Sequence, residues 1–276
     1  MPRQKSKTSS FGSSKREGHD ATQFYSSNLY SSFKVNDQQE IIDHSFQLKS
    51  ELFESARSLS LELLKQLPDH STHLFIVDLT HFPTANLFEN ENHMKFLTVI
   101  TEIERILITG GKTIVIVDNI QPKKESAQFY PFHANIIQDM ITAKFLMRGE
   151  VIWKKNPNSS ENHALTQLNS VYFHILIFSK QIFNRIKGIN TDTITRDQFL
   201  QYTKSIWTFQ PELMAQAPSN PEINQTMLDC YNHICQLYTF EDDKICCVYP
   251  KELHPTITEL KQRRKNIISL LIEKDF

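Results

Sequence analysis

The run Lys112-Thr-Ile-Val-Ile-Val-Asp118 constrains the fold more than any other stretch of this chain. Its β-branched residues favour a strand, and the lack of polar alternation means that both faces of that strand are buried. Strands of this kind belong to parallel sheets covered by helices on each side. The runs His73-Leu-Phe-Ile-Val77, Tyr172 to Lys180 and Ile245 to Tyr249 have the same apolar character. Between them the spacing changes to that of helices. Leu52, Ala56, Leu59 and Leu63 define one apolar face, and Phe96, Ile100, Ile103 and Ile106 another. Alternating apolar runs and amphipathic segments predict an α/β domain, with a largely parallel sheet and helices on both faces.

Further elements follow from local signals. A helix over 93–109 is expected to stop at Gly110-Gly111, because glycine accepts the left-handed conformation past a helix end. Phe132 to Met147 reads as a helix and Glu150 to Trp153 as a strand. Thr195 can cap a helix through Leu200, with Asp197 in its first turn. Asn224 to Tyr238 is amphipathic, and a last helix is expected from Thr256 to Glu273.

With 276 residues, 39% of them hydrophobic, the chain can bury a full core in one large domain. The expected division is a basic, Ser-rich arm over 1–45 and a domain over 46–276. Within the arm, Lys15 and Arg16 belong either to a solvated tail or to a segment that contacts phosphates. The formal net charge of −1 gives no global field that draws in nucleic acid, so any DNA contact must be local. Arg148, Lys154 and Lys155 are candidates for such contacts, or else the polar flanks of a strand. The same two readings apply to Lys261-Gln-Arg-Arg-Lys265. Four cysteines match neither a disulfide framework nor a CxxC pair. Cys230, His233 and Cys235 fit a buried helix face better than a zinc site, and no metal is expected. The apolar runs are too short for a membrane span. No apolar core follows the basic N-terminus, as a secretory signal would require. These features together predict a reduced cytoplasmic setting.

The strand His73–Val77 ends on Asp78-Leu79-Thr80-His81. The carboxyl end of a strand is where open α/β sheets meet their ligands, so Asp78 and His81 are candidate working groups. The phrase Leu67-Pro-Asp-His-Ser-Thr-His-Leu74 that leads into them resembles the catalytic-strand lead-in of DNA amino-methyltransferases. In that family an acid, amide or serine is followed by Pro-Pro and an aromatic. Here Asp78 falls on the acid, Leu79 and Thr80 replace the prolines, and His81 falls on the aromatic. Ser10 to Asp20, Arg105 to Ile116, Phe132 to Met140, Phe145 to Lys154, Tyr172 to Lys180 and Ser205 to Phe209 resemble the same proteins. The order of the phrases is that of the permuted subclass.

The resemblance implies a Rossmann-like, S-adenosylmethionine-dependent methyltransferase fold. It also implies methyl transfer to the amino group of adenine or cytosine in DNA, with the base flipped out and its amino group donated to the motif's acid. Leu237-Tyr-Thr-Phe240 matches the lead-in to the family's cofactor strand. The Gly-rich loop expected after that strand does not follow. Cys247 stands for its acid, and Lys251 and Leu253 stand for its two glycines. Side chains there crowd the space that glycines leave for S-adenosylmethionine. No equivalent of the next strand, whose acid would hold the ribose, is expected. Two readings stay open. One is an inactive methyltransferase-like protein that binds DNA, an active methyltransferase subunit or a second copy of itself. The other is an active enzyme with divergent motifs. On the first reading S-adenosylmethionine is not bound. If DNA is bound, the protein sits at the nucleoid.

Overall fold

The computed structural model describes residues 61–80, 90–118, 131–154, 172–182, 194–208, 224–264 and 266–272. The basic arm lies outside these residues, as does most of the helix expected over 50–66. In chain order the elements are α1 (Leu61–Gln66), β1 (Thr72–Asp78), α2 (Asn90–Ile106), β2 (Leu107–Val117), α3 (Phe132–Thr142), β3 (Phe145–Lys154) and β4 (Tyr172–Lys180). They continue with α4 (Arg196–Tyr202), β5 (Ile206–Thr208), α5 (Gln225–Tyr238), β6 (Ile245–Pro250), a 3-10 turn (Lys251–Leu253), α6 (His254–Arg263) and β7 (Ile267–Ile272).

The strands form one seven-stranded sheet in the order β5-β3-β4-β2-β1-β6-β7. β1 pairs in parallel with β2 and β6, β6 with β7, and β3 with β5, while β4 runs antiparallel to β2 and β3. Every strand except β4 therefore points the same way. Strand alternation sends successive side chains to opposite faces, and each face carries its own core. Phe75, Val77, Val115, Leu176 and Val248 pack under α1, α2 and α3 through Leu64, Phe96, Ile103, Phe132 and Ile136. Leu74, Ile76, Ile116, Ile175 and Cys247 pack under α5 and α6 through Leu228, Tyr231, Ile257 and Leu260. The expected layers are present.

Three boundaries differ from the sequence reading. Helix α2 ends at Ile106, and Gly110-Gly111 lies inside β2 rather than capping the helix. Gly110 adopts φ 77°, and the β1–β2 register shifts between Thr72 and Leu74, so these glycines form an irregularity in the ladder. A Cβ on Gly111 would stand 2.9 Å from the Ile108 carbonyl and 3.2 Å from that of His73. Second, α3 stops at Thr142, because Lys144 at φ 67° reverses the chain so that buried Phe145 can begin β3. Third, the helix expected over 256–273 is two elements. Arg264 is extended, and Ile267-Ile-Ser-Leu-Leu-Ile272 runs beside β6 without a register shift. An apolar run broken by a single serine suits a strand covered on both faces and leaves no polar face for a helix.

Candidate functional site

Chain order changes direction between two central strands: from β1 the chain moves to β2 on one side, and from β6 to β7 on the other. Such a switch point opens a crevice at the carboxyl ends of its strands. Asp78 closes β1 there and Pro250 closes β6.

Asp78 is fully buried. Its Oδ1 accepts the Thr80 backbone N–H at 2.9 Å and the Thr80 hydroxyl at 2.6 Å. Its Oδ2 accepts the Tyr231 hydroxyl from α5 at 2.5 Å. The side chain thus folds its own chain into a turn on one oxygen and is bound to a helix on the other. Burial pushes the Tyr231 phenol well above its usual range, and the charge and hydrogen bond of Asp78 push it further. Burial, then Asp78, does the same to the Cys230 thiol. Leu79 is buried in the core, with its N–H donating to the Ile116 carbonyl at 2.8 Å. His81 lies outside the described residues.

The β6 side of the crevice is built differently. All six residues of β6 are buried. Cys247 sits in mid-strand against Ile76 and Ser269, with its thiol pushed well up by burial and then by Cys235 and Cys246. β6 passes directly into the turn Lys251–Leu253, where Lys251 is exposed and Leu253 enters the core. Tyr249 and His254 join across that turn at 3.0 Å. Neither the turn Lys251–Leu253 nor α6 contains a glycine, so the backbone there is not left bare for a nucleoside to approach. Pro255 also removes one amide from the first turn of α6. This turn does not fit S-adenosylmethionine as a glycine loop would. One feature runs the other way: β7 exists beside β6, and the sequence places Glu273 directly after it.

Of the basic candidates, Lys154 is exposed at the carboxyl end of β3, on the same edge of the sheet as Asp78. Arg148 lies six residues earlier, roughly 20 Å away along the strand. It is half-buried at an irregularity in the β3–β4 ladder, and burial lowers its pKa. The structure therefore does not bring Arg148 and Lys154 together. Lys155, Lys15 and Arg16 lie outside the described residues. In α6, Arg263 pairs with Glu259 at 2.9 Å, and Arg264 donates to Thr239 at 2.8 Å.

Two clusters escaped the sequence reading. At the head of β4, His174 Nδ1 binds Glu150 of β3, and its ring stacks on His133 of α3 with centroids 4.1 Å apart and planes 4° apart. Burial, then His174, lowers the His133 pKa. On the other face, His233 of α5 is enclosed by Tyr202, Trp207 and Trp153, with centroids at 3.8, 5.5 and 6.0 Å. Neither cluster has a local signature, because each is assembled by strand pairing or helix docking. Cys230 and Cys235 lie on the buried face of α5. Among the described residues no group of three His, Cys, Asp or Glu is placed to hold a metal, and no helix is long and apolar enough to cross a membrane.

No protein-family model matches the chain, and no curated protein matches it by sequence. Solved structures do. A protein of Thermus thermophilus assigned as a DNA modification methylase, solved in complex with S-adenosyl-L-methionine, superposes with a TM-score of 0.55 at 18% identity. That match covers 77% of this chain and 85% of the other. The cytosine-N4-specific PvuII DNA methyltransferase superposes with a TM-score of 0.56 at 15% identity, covering 77% of this chain and 78% of its own. A mixed seven-stranded sheet flanked by helices, with its switch point between β1 and β6, therefore gives this chain the S-adenosylmethionine-dependent methyltransferase fold in the form shared with these DNA methyltransferases.

Proposed function

We propose that this protein keeps the DNA methyltransferase fold without methyl transfer, and acts as a DNA- or partner-binding subunit. The observation that carries this reading is the state of Asp78. A target amino group needs an acceptor that is open and correctly aimed. Here three donors occupy the carboxylate, and no part of it reaches solvent. The turn after β6 supports the same reading, since Leu253, which stands where the resemblance expects a glycine, is packed into the core. Cys247 and Leu253 are then core residues, and Asp78 ties β1 to α5. Lys154, exposed at the carboxyl end of β3, is the described candidate for a DNA phosphate contact, and Lys251 is exposed at the same end of the sheet. Lys155, Lys15 and Arg16 lie outside the described residues and are proposed as phosphate contacts on their charge alone.

A second reading rests on one observation. β7 restores the strand that follows the cofactor turn, and Glu273 comes next in sequence, where an acid for a ribose belongs. On that reading the protein is an active methyltransferase with divergent motifs.

Calorimetry with S-adenosylmethionine separates the two, with the Lys251→Gly/Leu253→Gly variant as a comparison. No heat of binding is expected from the native chain, while duplex DNA shifts its mobility at low salt and loses that shift as salt rises. Binding of the cofactor at micromolar strength, with label transferred from it to DNA, would establish the second reading instead.

A further inference from the structure

At the carboxyl edge of the sheet, on the α3 side, five polar side chains stand in one group. Val151 and Trp153 belong to the core under α5, so Glu150 and Lys154, which alternate with them along β3, point to the opposite face. Leu176 belongs to the core under α3, and Tyr172 and His174 of β4 share its face. Lys154 and Tyr172 stand opposite each other in the β3–β4 register, which brings their side chains within reach. Tyr172 meets His174 edge-on, and His174 Nδ1 binds Glu150. The flat of the His174 ring lies against that of His133, in the first turn of α3. His174 is buried, His133 half-buried and Lys154 exposed.

The group is arranged to answer to protons and to an anion together. Stacked at 4.1 Å, the two imidazoles cannot both be charged without repulsion. Among the described charges around them, Glu150 favours a charged ring and Lys154 opposes it. Asp118 follows Val117, the β2 partner of His174. Asp139, the one acid in α3, is tied to His93 of α2 at 3.0 Å. Burial, then His174, holds the His133 pKa below its ordinary value against the pull of Glu150, so His133 is uncharged at neutral pH. A proton taken up there adds a positive charge at the same edge as Lys154. A phosphate oxygen beside the rings offsets both the repulsion and the burial. Binding the anion and taking up the proton therefore favour each other.

We infer that His133, His174 and Glu150 form, with Lys154, a proton-controlled site for a phosphate group. His133 takes up the proton, Glu150 holds His174 in place against it, and Lys154 supplies the permanent charge. The inference rests on the DNA-binding reading above for the source of its ligand, a phosphate of the DNA backbone. The grip on DNA then tightens as the pH falls through the range in which histidine titrates.

Fluorescence anisotropy of a labelled duplex with the full chain, at one low salt concentration, tests it from about pH 8 to about pH 6. Affinity should rise by roughly fivefold or more over that range, since one linked proton allows up to about tenfold per pH unit. His133→Phe keeps a ring on His174 but cannot titrate, so it should lose that rise. Should the variant not fold, the His133 Cε1–H resonance of the native protein decides, for its midpoint should move to higher pH when duplex is added. Inorganic phosphate in place of duplex separates the sources of the ligand. A midpoint moved by phosphate, with no binding of duplex, keeps the site and overturns the DNA-binding reading. Duplex binding that does not rise as the pH falls overturns the inference. So does a rise that persists undiminished in His133→Phe, or a midpoint that neither duplex nor phosphate moves.

Discussion

Asp78 stands at the expected end of β1, and its carboxylate is held there by Thr80 and by Tyr231 of α5. Its position was legible, because an acid that ends an apolar run marks the carboxyl end of a strand. Its partner was not. Tyr231 lies 153 residues further on, and nothing near Tyr231 distinguishes it from any other aromatic on a buried helix face. The contact has a measurable energy. Tyr231→Phe keeps the ring and removes the hydroxyl that donates to a buried carboxylate, leaving Oδ2 short of a donor. A cost of about 1–3 kcal/mol is expected, read as a lower urea midpoint with an unchanged m-value. A variant as stable as the native protein would mean that Asp78 is not held through α5. The closed-site reading would then lose its support.

Between elements, the contact of α3 with β4 depends on protonation. His133 in α3 stacks on His174 in β4, and His174 is tied to Glu150 in β3. Tyr172 meets the His174 ring edge-on, with centroids 5.1 Å apart. Burial and the neighbouring His174 depress the His133 pKa, while Glu150 opposes them. A group whose folded pKa is depressed binds fewer protons when native. Its contribution is present above the unfolded value, here 6.5, and is lost as pH falls from there towards the folded value. Stability should therefore decline on the acid side of neutrality, and His133→Phe should remove that part of the decline while keeping a stacked ring. Chemical denaturation at a series of pH values checks this, and parallel curves for the two proteins would refute it. The same scale explains the misread boundaries. Gly-Gly signals a left-handed turn, but periodicity cannot say whether the turn caps a helix or bends a strand. The basic segment before β7 masked a strand because its helical spacing ran up to the apolar run without a break.

Across the whole molecule, sheet and layers were legible because interior strands cannot hide their composition: β1, β2 and β6, and the antiparallel β4, each announce burial on both faces. The site was less legible, since its closure depends on distant pairs rather than on local phrases. The fold also divides its work between the two ends of the strands. The carboxyl edge holds the crevice and Lys154, while the amino edge is fastened. There Arg105 donates to the carbonyls of Leu64 and Leu67, each at 2.9 Å, and pairs with Asp69 and Glu102. Lys180, almost fully buried at the end of β4, donates to the Leu107 carbonyl at 2.9 Å and to that of Glu104 at 2.5 Å. Burial lowers the Lys180 pKa, and Glu104 partly offsets it. Together the two cations close α1, α2, β2 and β4 at one end. Arg105→Lys keeps the charge but loses the planar fork that serves several acceptors at once. It should cost about 1–3 kcal/mol in thermal or urea unfolding. Because Arg105 is a full strand length from the crevice, DNA binding measured well below the transition should be unchanged. A variant that unfolds like the native protein would show that the clasp is redundant. One that stays folded and loses DNA binding would place the nucleic-acid surface at the amino edge, with Arg148 rather than Lys154.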